Sequence, residues 1–127
     1  MTIHRVTKLA KILLAVVPAS HGKISITDDI DGSGPTFKVP AGDYEIRVEQ
    51  DKLGLLRLLD IVLVGSTPVR LGEYLKYVVC DHNFMIGGDR KGVITVDEGR
   101  NTGGSAWTLV DASGAIVGVR ICDQDPD

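Results

Sequence analysis

The chain has 127 residues, 43% of them hydrophobic and 24% charged, with 15 glycines and a formal net charge of −3. That length fits one domain able to bury over roughly 60% of its unfolded surface, and the composition excludes the disordered and fibrous classes. The acidic balance, with no basic patch, argues against nucleic acid as a partner, because phosphate neutralisation supplies most of the affinity in such complexes.

At the N-terminus, His4, Arg5, Lys8 and Lys11 read as a solvated basic segment ahead of the apolar run Ile12 to Val17 and the small-residue step Pro18-Ala19-Ser20. The arrangement imitates a secretory signal, but the apolar run is shorter than the roughly 7 to 15 residues of a signal core. It is expected to be the first strand. No stretch approaches the roughly 20 apolar residues of a membrane span, so no membrane partner and a cytoplasmic location are expected.

Turn residues then punctuate the chain at short intervals: His21-Gly22, Asp31-Gly32-Ser33-Gly34-Pro35, Pro40-Ala41-Gly42-Asp43, Asn83, Gly87-Gly88, Asn101 to Gly104 and Ser113-Gly114. Short apolar runs between such turns predict meandering antiparallel strands. Lys23 to Thr27 and Tyr44 to Glu49 alternate as half-buried strands do, with Tyr44, Ile46 and Val48 on one face. Leu53 to Val64 is nearly all apolar except Arg57 and Asp60; its β-branched end, Ile61 to Val64, predicts a central strand. Pro68 to Val79 places Leu71, Tyr74, Leu75 and Val78 at helical spacing behind a Thr67 cap, which admits one short helix near residues 68–78. Val93 to Val96 reads as a short strand. Trp107 to Val110 and Ala115 to Ile121 flank Asp111-Ala112-Ser113-Gly114 as a hairpin whose glycine supplies a positive φ. The expected architecture is one mainly β domain over residues 1–127, an antiparallel β-sandwich or open barrel of about eight to ten strands.

A faint internal echo runs through the sequence. Val16-Val17 leads to His21-Gly22, Ile24 and Asp28, and Val78-Val79 leads to His82-Asn83, Met85 and Asp89. Gly and Asn most readily take left-handed turns, so the echo suggests two similar strand-turn-strand units.

No complete catalytic or cofactor motif stands out. Asp28-Asp29-Ile30-Asp31-Gly32 gathers carboxylates at a glycine turn but fails as an EF-hand, since Ser33 and Pro40 occupy ligand positions, so no metal or cofactor is expected. His21 and His82, near Asp28 and Asp81, are raw material for acid–base or metal chemistry but lack a third partner. Cys80 and His82 share a strand face, a spacing compatible with a thiol and its base, although Cys80 and Cys122 read more simply as two reduced thiols. Gly99 to Ser105, with Arg100 and Asn101, offers backbone N–H groups on a glycine-rich loop but lacks the Lys-Ser/Thr of a P-loop.

Three stretches carry a family resemblance: Gly22-Lys23-Ile24-Ser25-Ile26-Thr27-Asp28, Pro40-Ala41-Gly42-Asp43-Tyr44-Glu45-Ile46, and Gly103-Gly104 before Trp107. In them the chain resembles a group of small uncharacterised bacterial all-β domains. The resemblance implies an all-β fold and a bacterial origin, and brings no catalytic residues. The expected function is a non-enzymatic recognition domain that binds another protein, in the manner of a small inhibitor or toxin-neutralising immunity protein, through Asp28, Asp29, Asp31, Arg100 and Asn101. A homodimer is compatible with this. The competing expectation is a small hydrolase or metal-dependent enzyme using His21, His82 and nearby aspartates.

Overall fold

The computed structural model describes residues 5–28, 32–50, 52, 56–79, 83–90, 94–97 and 103–122. These form ten strands: β1 (Ile12–Ala19), β2 (Lys23–Asp28), β3 (Thr36–Lys38), β4 (Gly42–Gln50), β5 (Leu56–Leu63), β6 (Arg70–Val79), β7 (Asn83–Gly87), β8 (Ile94–Asp97), β9 (Gly103–Val110) and β10 (Ile116–Cys122). They build two antiparallel sheets, a six-stranded one in the order β1-β4-β5-β10-β9-β6 and a four-stranded one in the order β3-β2-β7-β8. The result is a β-sandwich of two separate sheets rather than a closed barrel.

The strand order is two-fold symmetric. Adding five to each strand number of the first half turns β1-β4-β5 into β6-β9-β10 and β3-β2 into β8-β7, so that each sheet reads the same from either end. Two copies of one five-strand unit therefore meet at β5–β10 in the large sheet and at β2–β7 in the small one. Asp60 faces Arg120 across the first seam and Ile26 faces Ile86 across the second; both pairs are separated by 60 residues in the chain. The echo between Val16-Val17…Gly22 and Val78-Val79…Asn83 lies where each unit crosses from the large sheet to the small one.

The principal core lies between the sheets. Val17, Ile24, Ile26, Tyr44, Ile46, Leu59, Ile61, Phe84, Ile86, Val119 and Ile121 are buried there. The alternation expected in β4 holds, with Tyr44, Ile46 and Val48 inward. Tyr44 donates its hydroxyl to the Pro40 carbonyl at 2.5 Å, and burial pushes its ionisation up to about 12. The β9–β10 hairpin closes as expected around Gly114, whose φ of 87° suits a glycine.

Within the run Leu53 to Val64, the described strand β5 is apolar on both faces because much of each is covered. Leu59 and Ile61 face the inter-sheet core, whereas Val62 belongs to a second cluster with Val6, Leu71, Leu109 and Val117. Val6 comes from the N-terminal segment, which lies over the outer face of the large sheet. That places β5 between β4 and β10, the central position its composition predicted.

The helix admitted near residues 68–78 does not form; the segment is β6. Register shifts between Leu71 and Tyr74, and again between Tyr74 and Lys76, insert extra residues opposite β9. Each bulge lengthens the interval between same-face residues from two to three. Apolar residues at intervals of three then imitate the helical period.

Candidate functional site

The cross-strand register places one row of side chains on the outer face of the large sheet. Leu13 pairs with Arg47, Arg47 with Asp60, Asp60 with Arg120, Arg120 with Trp107 and Trp107 with Tyr74, so six strands contribute one residue each. The middle of the row is closed. Arg120 holds Asp60 through two hydrogen bonds, Nε to Oδ1 at 2.6 Å and Nη2 to Oδ2 at 2.9 Å. Asp60 is fully buried, and its second oxygen also accepts from the Ala10 amide at 2.8 Å. Arg120 donates further to the Lys8 carbonyl at 3.1 Å. Burial opposes the charge on Arg120, but the hydrogen bonds and charge of Asp60 outweigh it and raise its pKa. The pair is thus a latch: it joins the two units at their seam and pins residues 8–10 across the sheet. Further along the same segment, Val6 donates its amide to the Val69 carbonyl at 2.9 Å.

The two ends of the row are open, and they differ. At the β6 edge, Tyr74 packs edge-on against Trp107 with ring centroids 5.2 Å apart, and Tyr77 is also exposed. Glu73 and Lys76 interleave with them. At the β1 edge, Ile12, Leu13, Leu14 and Val16 are 49%, 46%, 42% and 51% exposed. No other described strand pairs with the outer side of β1. An open cleft of about 460 Å³, lined by Lys8, Lys11, Ile12, Val48, Glu49 and Gln50, runs beside its N-terminal end.

The C-terminal end of the β1 edge is capped. Asp89, in the turn after β7, donates its amide to the Pro18 carbonyl at 2.9 Å. Its carboxylate accepts from the Ser20 hydroxyl at 2.8 Å and the Ser20 amide at 2.9 Å. The Ser20 hydroxyl holds this exposed carboxyl below the usual carboxylate range. The free part of the edge therefore runs from Ile12 to Val17.

Of the residues singled out in the sequence, Asp28 ends β2 with its side chain buried, so it does not present a carboxylate to solvent. Asp29, Asp31, Cys80, Asp81, His82, Arg100 and Asn101 lie outside the described residues. His21 is exposed in the β1–β2 turn beside Asp89 rather than beside Asp28. Cys122 is buried at the end of β10. Among the described residues no group of three or more His, Cys, Asp or Glu side chains could hold a metal ion, and no helix is long and apolar enough to cross a membrane.

Sequence reasoning passed over the two features that organise this face. Asp60 was visible as a charge inside an apolar run, a signal of a buried, paired carboxylate. The exposure of β1 had a fainter signal: Ile12 to Val17 shows no polar alternation, as a strand does when both its faces are apolar. No family model, no curated protein and no solved structure matches the chain.

Proposed function

We propose that this protein is a non-enzymatic recognition domain that binds protein, taking an extended segment as an added strand along β1. The observation that carries this is the β1 edge itself: four large apolar side chains, each two-fifths or more exposed, on a strand whose outer side no other described strand pairs with. Natural sheets blunt unused edges with charge, proline or bulges, because a bare edge templates pairing with other chains. Between Ile12 and Val17 there is no charge and no proline, and a single register shift, at Leu14. Main-chain hydrogen bonds would supply affinity in such a complex, and the apolar side chains flanking the strand would supply selectivity.

An inhibitor of another protein, of the toxin-neutralising immunity type, is the narrower form of the same proposal. It draws on the small size and acidity of the chain and would add the 28–34 loop to the contact, with Asp29 and Asp31 supplying the carboxylates.

The test is affinity capture with the tagged protein and with its Val16→Lys variant, at low and at high salt. Capture of one stoichiometric protein by the parent, lost with Val16→Lys, supports recognition along β1. Equal capture by both moves the binding surface elsewhere, and salt-sensitive capture abolished by joint alanine replacement of Asp29 and Asp31 moves it to the acidic loop.

A further inference from the structure

Resting on the reading of β1 as a strand-adding edge, we infer that the strand it takes is β1 of a second copy of this chain, paired antiparallel about a two-fold axis. Three features of the edge point to this occupant.

The first is length. The free stretch is bounded at one end by the bend at Lys11 and at the other by Gly88-Asp89 against Pro18. A longer foreign strand would meet Asp89 at that end. A second β1, running the opposite way, leaves the edge at its own Lys11 just where Asp89 begins, so the bounds of the two copies coincide. The second is charge. With the pairing centred between Leu14 and Ala15, which sets Val16 opposite Leu13 across the register shift, Lys11 of each copy falls opposite Pro18 of the other. Asp89 sits there, its amide bonded to the Pro18 carbonyl and its carboxylate exposed. One lysine–aspartate contact then forms at each end of the paired strands. The third is precedent within the chain: β5 and β10 already join the two five-strand units by antiparallel pairing, with Asp60 opposite Arg120. A β1–β1 pair repeats that mode one level up and gives a continuous sheet of twelve strands.

Pro18 shows which amides face outward. It pairs with Asp43 of β4 without an N–H to donate, and a strand tolerates proline where the missing donor faces away from the neighbour. Val16 lies two residues earlier with no register shift between them, so its amide faces the free edge too. Val16→Pro therefore deletes a donor to the second copy and spares the pairing with β4.

The test is sedimentation velocity of the full chain across a range of concentrations, with Val16→Pro, Val16→Lys, Lys11→Glu and, on the opposite edge, Tyr77→Lys. The parent is expected to show a reversible monomer–dimer equilibrium. Because the two-fold doubles each change, both Val16 variants should weaken it by roughly tenfold or more, Lys11→Glu should weaken it less, and Tyr77→Lys should leave it unchanged. Val16→Lys is the check should Val16→Pro fold poorly. A parent that stays monomeric overturns the second-copy inference; if that same monomer captures another protein through Val16, recognition along β1 stands without it. A dimer insensitive to both Val16 variants overturns the inference as well.

Discussion

Strands β1 and β6 occupy equivalent places in the two halves of the molecule, yet their edges are built differently. Each opens its five-strand unit, is followed in the chain by a strand of the small sheet, and ends one side of the six-stranded sheet. β6 carries two register shifts, interleaves Glu73 and Lys76 with its tyrosines, and rests Tyr74 on Trp107. β1 has one shift, at Leu14, and exposes only apolar side chains from Ile12 to Val16. The same topological position is blunted on one side and left bare on the other. The difference is what directs the proposal to β1 rather than to β6, since interleaved charges and bulges are devices that blunt an edge.

That comparison depends on the two units being held together, and the largest expected effect comes from breaking their seam. Asp60→Ala should cost about 3–5 kcal/mol, because it strands the buried Arg120 and frees the Ala10 amide. A joint Asp60→Leu and Arg120→Met replacement should recover most of the loss, since a well-packed apolar pair often equals a buried ion pair. Chemical denaturation of the parent and the two variants measures the loss and its recovery. Recovery by the pair would show that the seam needs a matched contact rather than a charge; failure to recover would give the charge pair a further role in seating residues 8–10.

A smaller effect sharpens the description of the β1 end. The folded protein holds Asp89 below its ordinary pKa, so its ionised form contributes stability that is complete above the unfolded value and is lost as pH falls through the folded one. Asp89→Asn should melt slightly below the parent near about pH 7, and the gap should close on acidification below the ordinary carboxylate range. Thermal melts at the two pH values read this directly.

Much of the architecture was legible in the sequence, for identifiable reasons. Glycine turns and two-residue alternation located β2, β4 and the β9–β10 hairpin, because both signals are local. β5 was legible as a central strand because being covered on both faces leaves a continuous apolar run. β6 was not, because its bulges convert a two-residue period into a three-residue one. The site was less legible than the fold. The row from Leu13 to Tyr74 assembles residues from six strands, and no local pattern announces a cross-strand register. The two-fold order of the strands left no in-register repeat: the echo sets Ile24 against Met85, whereas the symmetry sets it against the inward Phe84, because core positions need to share burial and not identity.

The most direct measurement is amide hydrogen exchange along both edges at increasing protein concentration. If β1 is the recognition edge and pairs with its own copy, the Val16 amide becomes protected as concentration rises, while the outward amides of β6 exchange at an unchanged rate. Exchange at Val16 that stays fast and independent of concentration, or protection that rises equally on β6, would contradict the account.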